Sequence, residues 1–375
     1  MIKQYKKIKD KVLKIHWDKD WDEESIILEK LYSKRLKYSP SNTIYDSIFQ
    51  FKAQTYHLSF FQKFILWFFS MFGFFFLLFK YSLKKKNKYS GKFDFAYYYK
   101  DTVNYNNSNK KGVLIELNKG NLNIKDLFFI LSLCYKTRLN FSLLSICVYR
   151  ISTIRYSLKF GITEIWTNME FSSASGIIKS YCRKNNLVFK NFMHGEKLLA
   201  LRDSFASFDE FYVWNEHYKN IFKKLKCNSK IIIKDPLSEK KIITNFNNIK
   251  TICYFLKGSE TIKEYNNLQK IFNLLVKHGY DISIKEHPRH RLTNFNFKNV
   301  RLVHVDVDIN NIFKNHYYII AQYSTVLYQA YKFNLNFVLD DMSNTDIFNS
   351  LKKRDYFLIS EKFDNQRLSL IIDKL

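Results

Sequence analysis

The sequence predicts an α/β fold built from two domains, each with a parallel sheet. A length of 375 residues is enough for two such domains with full cores. Strand-like apolar runs alternate with helix-like stretches over most of the chain, a pattern typical of parallel sheets. A polar stretch without periodicity at 239–250 interrupts this alternation, and we interpret it as a linker. We therefore expect domains at 92–238 and 251–375, preceded by a helical N-terminal region at 1–91.

The N-terminal region contains an aromatic segment at 64–79, which has sixteen residues without a charge and lysines on both sides. A membrane-spanning helix needs about twenty apolar residues, so the segment falls short by about one turn. Flanking lysines on both sides give no clear orientation. We expect a helix that lies in the cytoplasmic leaflet, with the lysines of 84–88 on anionic headgroups. A spanning helix and a buried core helix are the alternatives.

The first domain is predicted from apolar runs and helical spacing. Strands are expected at 113–117, 161–167, 187–193, 210–214 and 231–234, and helices at 124–135, at 143–159 and from about 172 to 185. Glu170 follows the second of these strands, and His194 closes the third. Ligands of open α/β sheets bind beyond the carboxyl ends of strands. We therefore expect Glu170 and His194 in a site, on adjacent or nearby strands.

The second domain shows the same alternation. Strands are expected at 251–256, 281–285, 300–305, 317–321 and 337–339, and helices at 262–278 and from Ser324 to Tyr331. His287 follows the second strand, and the proline after it stops the strand. Ser324 and Thr325 begin a helix, where hydroxyls and free backbone N–H groups suit a phosphate, although such residues also serve as simple helix caps.

Charge and cysteine usage limit the partners and the compartment. The 61 Lys and Arg against 34 Asp and Glu give a net charge of +27, which favours an anionic partner or reflects solvated lysine. No arginine-rich tail, aromatic RNA-binding signature or helix-turn-helix pattern accompanies it, so we expect no nucleic-acid partner. The 5 cysteines form no C-x-x-C pair, which argues against zinc and a disulfide framework. The first thirty residues lack a signal-peptide pattern, so we expect a cytoplasmic protein.

Three polar motifs carry a family resemblance. His194-Gly195 closes a strand in the first half, His287-Pro288-Arg289 follows a strand in the second, and Tyr323-Ser324-Thr325 precedes the next helix. This arrangement resembles the GT-B glycosyltransferases, in which two Rossmann-like domains face a cleft. The closest resemblance is to bacterial enzymes of capsule, lipopolysaccharide and O-antigen synthesis that use CMP-activated sugars, namely sialyltransferases and Kdo transferases. CDP-glycerol glycerophosphotransferases share similar motifs.

The resemblance implies roles for individual residues. It places His287, Ser324 and Thr325 on the nucleotide phosphate, with Arg289 adding charge-assisted contacts and Tyr323 in the same donor site. It also implies an acidic general base in a D/E-D/E-G motif, and no such motif follows a strand in this sequence.

The base is therefore argued from position. We favour Glu170, since desolvation at a strand end raises a carboxyl pKa toward neutral, with His194 as the second candidate.

The remaining polar residues near His194 are assigned to the acceptor. Gly195, Glu196 and Lys197 are expected to bind it, while Arg202 and Asp203 either position it or form a surface ion pair. We expect neither a metal nor another cofactor, although Asp306 and Asp308 have the spacing of a divalent-ion motif.

The expected function is transfer of a sugar from a nucleotide-activated donor, best CMP-sialic acid or a related CMP-sugar, to a hydroxyl of a growing surface glycan or lipid-linked glycan. The expected location is the inner face of the bacterial plasma membrane, on an anionic membrane surface. A CDP-glycerol glycerophosphotransferase and a non-catalytic membrane- or polysaccharide-binding protein are the alternatives.

Overall fold

A computed structural model describes residues 2–13, 20–83, 91–99, 110–116, 119–237, 249–258, 260–287, 296–360 and 366–375. The chain divides into two compact units. The first comprises Met1–His194 and Leu199–Asp235, and the second comprises Gly195–Leu198 and Pro236–Leu375. Each unit contains one parallel sheet, so the α/β class with two domains is confirmed. Within the predicted linker 239–250, residues 239–248 lie outside the described residues.

The first unit begins with four helices. They are α1 (Ile2–Leu13), α2 (Trp21–Arg35), α3 (Ile44–Gln54) and α4 (Phe60–Ser82). Arg35 and Asp46 join α2 to α3 through a buried ion pair at 2.6 Å. Ser59 and Gln62 form a reciprocal capping box that begins α4. These helices belong to the same unit as the first sheet.

The first sheet has six parallel strands in the order β2-β1-β3-β4-β5-β6. The strands are β1 (Phe95–Tyr97), β2 (Gly112–Leu114), β3 (Glu164–Thr167), β4 (Val188–Phe192), β5 (Glu210–Val213) and β6 (Lys230–Ile233). Its helices are α5 (Ile124–Lys136), α6 (Phe141–Ser157), α7 (Ser175–Lys184) and α8 (Glu216–Lys224).

Strand β1 is absent from the sequence prediction, although it lies inside the sheet between β2 and β3. It has only three residues, within a tyrosine-rich stretch that shows no alternation. Phe95 stacks on Trp166 of β3 at 3.9 Å between ring centroids. Gly112 of β2 makes room for the same ring, because a Cβ there would lie 2.4 Å from the Phe95 side chain.

The second sheet has five strands in the order β11-β10-β7-β8-β9. The strands are β7 (Thr251–Phe255), β8 (Asp281–Lys285), β9 (Arg301–Val303), β10 (Tyr318–Ala321) and β11 (Asn336–Leu339). The helices are α9 (Ile262–Lys277), α10 (Ile309–Asn315), α11 (Thr325–Lys332), α12 (Thr345–Lys353), α13 (Phe357–Ser360) and α14 (Leu368–Ile372). Its core packs aliphatic strand residues against α9, including Ile252, Ile284 and Phe272.

The aromatic segment 64–79 lies within α4, which has 23 residues. At a rise of about 1.5 Å per residue, the helix is about 34 Å long. The helix is longer than the apolar run, and α4 is long and apolar enough to cross a membrane by length and composition alone, so the interfacial placement stays a prediction. Only 28% of its most apolar window is buried. One side packs on α6, where Ser142 contacts Ser70 at 3.1 Å, and the other side is exposed.

Candidate functional site

The structure brings Glu170 and His194 together at one end of the first sheet. Thr167 of β3 is in register with Asn191 beside it, and Glu170 and His194 each follow three residues later. His194 Nδ1 lies 3.1 Å from Glu170 Oε1. The sequence placed both residues at strand ends, and the parallel order of adjacent strands makes them neighbours.

Glu170 is held in a closed environment, with no exposed surface. Asn191 Nδ2 donates to its Oε2 at 3.2 Å, and the backbone N–H of His194 approaches its Oε1 at 3.4 Å. The amide oxygen of Asn191 accepts in turn from the backbone N–H of Met169 at 2.7 Å. A buried carboxylate needs such partners to offset its lost hydration. Glu170 therefore contacts His194 and not solvent.

His194 provides the exposed part of this pair, since 40% of its side chain is accessible. Its Nδ1 is buried against Glu170, at an approach that falls outside hydrogen-bond alignment. The Phe171 ring lies 5.8 Å from the imidazole, between centroids. A neutral imidazole whose Nδ1 carries the proton toward a carboxylate keeps Nε2 as a proton acceptor. The pair therefore has the arrangement of a histidine base with an orienting carboxylate.

The helices at the start of the chain support the loops around this pair. Gln50 Nε2 of α3 donates to the Glu170 carbonyl at 3.2 Å, and Gln54 Nε2 donates to the Phe171 carbonyl at 2.7 Å. Glu24 of α2 accepts from the backbone N–H of Leu201 at 2.9 Å. No motif marked these residues in the sequence, because a buried helical glutamine has the same local pattern as an exposed one.

Arg202 and Asp203 form an ion pair, which is one of the two alternatives predicted for them, with Arg202 Nε 3.4 Å from Asp203 Oδ1. The position differs from a surface pair, since Asp203 is only 2% exposed. Gln54 also donates to the Arg202 carbonyl at 2.9 Å. This turn is therefore part of the support beneath the pair.

The short segment Gly195–Leu198 belongs to the second unit. Tyr356 OH donates to Glu196 Oε2 at 2.9 Å, and Tyr323 OH donates to the Glu196 carbonyl at 3.1 Å. Burial, together with the neighbouring Glu196 carboxylate, raises the pKa of Tyr356 well above its usual value. Glu196 and Lys197 are only 5% and 8% exposed. Both side chains are buried, and Glu196 anchors the segment, while acceptor binding by Gly195, Glu196 and Lys197 stays a prediction.

Gly195 lies close to the helix that carries the predicted phosphate site. Its φ of +67° lies in the left-handed region, and a Cβ there would stand 3.2 Å from Thr325 Oγ1. Ser324 caps α11, since its Oγ accepts from the backbone N–H of Val326 at 3.3 Å. Ser324 and Thr325 are both partly exposed. The hydroxyl of a capping serine keeps its own proton to donate, so capping leaves a phosphate contact open.

His287 and Tyr323 occupy equivalent register positions just beyond the carboxyl edge of the second sheet. Lys285 of β8 is in register with Phe255 of β7, which is in register with Ala321 of β10. His287 and Tyr323 each follow two residues later, with β7 between them. Strands spaced by about 4.8 Å put these positions roughly 10 Å apart. Arg289 lies outside the described residues.

Lys257 occupies the intermediate position at the end of β7. Its Nζ donates to Gln322 Oε1 at 3.2 Å and also pairs with Glu264. Burial acts to raise the pKa of Glu264, but hydrogen bonds from Lys257, the Thr261 backbone and Asn344 hold it below its usual value. No sequence motif identified Lys257 as a site residue. A lysine-glycine pair directly after a strand was its only local signal.

The two aspartates with divalent-ion spacing have separate local contacts. Asp308 caps α10 by accepting from the backbone N–H of Asn310 at 2.6 Å, and Asp306 Oδ2 lies 3.2 Å from His304 Nδ1.

No model of a known protein family matches the chain, and no curated protein matches it. Its function therefore has to be inferred from the residues at the carboxyl edges of the two sheets.

Proposed function

We propose that this chain is a GT-B-type glycosyltransferase that uses a nucleotide-activated sugar and takes the acceptor proton with His194. The observation that carries the proposal is the pair of Glu170 and His194 at the carboxyl edge of the first sheet, 3.1 Å apart. A buried carboxylate behind a half-exposed imidazole is a recurrent arrangement for general-base catalysis. In the GT-B class, two Rossmann-like domains face a cleft, and the two parallel sheets of this chain are compatible with it.

His194 replaces Glu170 as the preferred base. Glu170 is wholly buried and directed at His194, so an acceptor hydroxyl reaches the imidazole first. The acceptor proton passes to His194 Nε2 as the acceptor oxygen forms a bond to the anomeric carbon. The bond from that carbon to the donor phosphate oxygen breaks, and the nucleotide leaves with the electron pair. Glu170 stabilises the imidazolium and acts as a positioning residue.

The donor phosphate is assigned to the edge of the second sheet. His287, Lys257 and Ser324 follow three neighbouring strands, and the positive end of α11 begins at Thr325. Preorganised donors and positive charge stabilise the charge that develops on a departing phosphate. Arg289 and Tyr323 stay predicted members of this donor site. Tyr323 contributes through its contact with the segment that holds Gly195.

A second candidate is transfer of glycerol phosphate from CDP-glycerol. One observation favours it, namely that the proposed base, His194, stands in a His-Gly motif, whereas no D/E-D/E-G motif follows a strand. In that reaction the acceptor oxygen attacks the phosphorus that carries the glycerol, and CMP leaves. His194 and the edge of the second sheet keep the same roles. A membrane- or polysaccharide-binding protein without turnover is the non-enzymatic alternative.

The proposed location is the inner face of the plasma membrane, where lipid-linked glycans are extended. The exposed side of α4 supports it, since Phe72, Phe76 and Phe79 are 56%, 63% and 67% accessible. Aromatic side chains on a helix next to lysines are typical of interfacial anchors.

The test incubates the purified full chain with CMP-, CDP-, UDP- and GDP-activated donors and measures nucleotide release. We expect CMP release from CMP-sialic acid or a related CMP-sugar, and its loss in His194→Ala. His304→Ala, which changes a histidine whose side chain is 71% exposed, is the matched control. Turnover of CDP-glycerol alone selects the second candidate. Binding without turnover of any donor selects the non-enzymatic alternative.

A further inference from the structure

The first unit exposes an apolar surface on two helices. On α4, Phe64, Phe68, Phe72, Phe75 and Phe79 are between 37% and 67% accessible. Their spacing of three or four residues places them in one stripe along the helix. Buried residues of α4, such as Phe74, lie on the side that packs on α6. The exposed stripe therefore lies largely outside the core of the unit, with Phe75 at its border, 5.9 Å from Phe141 between ring centroids.

Helix α5 has a second stripe of the same kind. Ile124, Phe128, Leu131 and Tyr135 are between 62% and 88% accessible and follow the same spacing. We call the stripes of α4 and α5 together the apolar face. More than half of the large hydrophobic side chains that are exposed among the described residues lie at 60–83 or 124–139. A surface of this extent on a soluble unit usually marks an interaction site.

Hydrogen bonds tie the two helices together at both ends. Trp67 Nε1, near the start of α4, donates to the Leu139 carbonyl just after α5 at 3.0 Å. The Leu122 backbone N–H, just before α5, donates to the Tyr81 carbonyl near the end of α4 at 3.0 Å. The end of α5 therefore lies near the start of α4 and its start near the end of α4, so the two helices run antiparallel, and both pack on α6.

The exposed charges of α4, α5 and the turns next to them are all positive. The sequence from 59 to 83 contains no Asp or Glu. The sequence from 121 to 140 contains only Asp126, which is buried and paired with Arg155 at 2.7 Å. Exposed cations border the helices at Lys63, Lys80, Lys125, Lys136 and Arg138. An apolar surface with a cationic border complements a bilayer that contains anionic lipid.

A cavity of about 360 Å³ opens where α4 begins and the loop between α5 and α6 lies. Lys63 and Arg138 line it together with Phe64, Trp67 and Thr137. Thr137 is 8% exposed, and its hydroxyl has no hydrogen-bond partner within the part of the chain that the structure describes. A cavity with two cations and an unpaired hydroxyl beside an aromatic wall suits a group with an anionic head and an apolar tail.

Two further features favour an anion in this cavity. Asn140 and Ser142 also line it, so the positive end of the 17-residue helix α6 lies there. Burial, and then the like charges of Lys34 and Arg138, lower the pKa of nearby Lys52. This crowding of positive charge is relieved when an anion binds.

We propose that this cavity binds the phosphate headgroup of an anionic phospholipid while the apolar face enters the bilayer interface. The ligand is a phosphate diester on a lipid, held by Lys63 and Arg138, with its first carbons against Trp67. The proposal rests on the membrane location given under the proposed function and adds a defined headgroup site to it. The same site orients the first unit on the membrane, because the headgroup fixes one end of α4.

The first experiment measures binding of the full chain to vesicles of phosphatidylcholine, with and without phosphatidylglycerol. We expect anionic vesicles to bind far more protein, and K63Q/R138Q to weaken that binding about thirty-fold, since each cation contributes about a five-fold factor near such a surface. The control K263Q/K270Q removes two exposed lysines of α9. An equal loss in the control would overturn the headgroup site, because it would make net charge the cause.

A second experiment needs no charge variant. Phosphatidylglycerol with brominated acyl chains should quench the fluorescence of Trp67, and this quenching should disappear in Trp67→Phe. Unchanged quenching in W67F overturns the placement of the cavity at the bilayer. Inorganic phosphate that displaces the vesicles at modest concentration overturns the lipid as the ligand. A lipid-free dimer that covers the apolar face and never binds vesicles overturns the membrane in favour of a second copy.

Vesicle binding is measured without donor or acceptor, so it is independent of sugar transfer. His194→Ala should bind vesicles normally, whereas it should lose nucleotide release. Failure of the headgroup site and failure of the proposed reaction are therefore distinguishable.

Discussion

Replacement of Glu170 by glutamine tests whether His194 depends on its buried partner. The substitution keeps the size of the side chain but removes the negative charge that lies 3.1 Å from His194 Nδ1. At an effective dielectric constant of about 20, unit charges at this distance interact by about 5 kcal/mol. Solvent on the exposed side of the imidazole screens part of this, and we take about 3 kcal/mol as the loss. A loss of about 3 kcal/mol corresponds to a rate about a hundred times lower.

The assay compares kcat and donor KM for the wild type, Glu170→Gln, His194→Ala and the double variant. We expect Glu170→Gln to lower kcat about a hundred-fold with little change in donor KM, because the pair acts on the acceptor proton. In the His194→Ala background, the same substitution should have almost no further effect, since the residue through which it acts is gone. Thermal unfolding of each variant controls for loss of fold. Equal, additive losses in both backgrounds would refute a coupled pair.

Three further predictions concern stability and donor binding. Gly112→Ala should lower the free energy of unfolding by about 1–3 kcal/mol, because the new Cβ would lie 2.4 Å from the Phe95 ring of β1. In the control Gly73→Ala, the nearest atom to the new Cβ is 3.9 Å away, so the loss of unfolding free energy should be smaller. Denaturant unfolding measures both variants. The pKa of Glu264 is lowered by folding, so its contribution is present above its ordinary value of 4.5 and is lost as pH falls further. The stability difference between the wild type and Glu264→Gln should therefore shrink as pH falls below 4.5, as followed by thermal unfolding over a pH series. Lys257→Gln should raise the donor KM about ten-fold or more, because a charge-assisted contact with the donor phosphate is lost. The control Lys263→Gln should leave the donor KM unchanged. Equal KM values for the two variants would contradict the donor site.

Much of the fold follows from local patterns in the sequence. The strands β7, β8 and β10 are predicted to within one residue, because each is an apolar run bounded by polar or glycine residues. Strand β1 escapes prediction because its stability comes from contacts with Trp166 and from the space that Gly112 leaves. Helix α4 extends beyond the predicted segment 64–79, because a helix can continue through polar residues such as Lys63 and Lys80, whereas the uncharged run ends at them.

The candidate site was predictable in part. Strand ends located Glu170 and His194, but the backbone carbonyl of Glu170 is held by Gln50, a residue 120 positions earlier in the chain. Lys257 was missed because its place between His287 and Ser324 comes from the strand order β10-β7-β8, which differs from the order in the sequence. Long-range packing and strand order are the two kinds of information that local patterns lack.

The buried contacts of α3 have a practical consequence for preparing this protein. Gln50 and Gln54 hold the loop after β3, and Thr43 Oγ1 donates to the Gly176 carbonyl at 2.7 Å. A truncated protein that begins after α4, made to improve solubility, would remove these donors from the backbone carbonyls of Glu170, Phe171 and Gly176. Polar substitutions along the exposed stripe of α4 are the better route to a soluble protein, since they keep α2 and α3 in place.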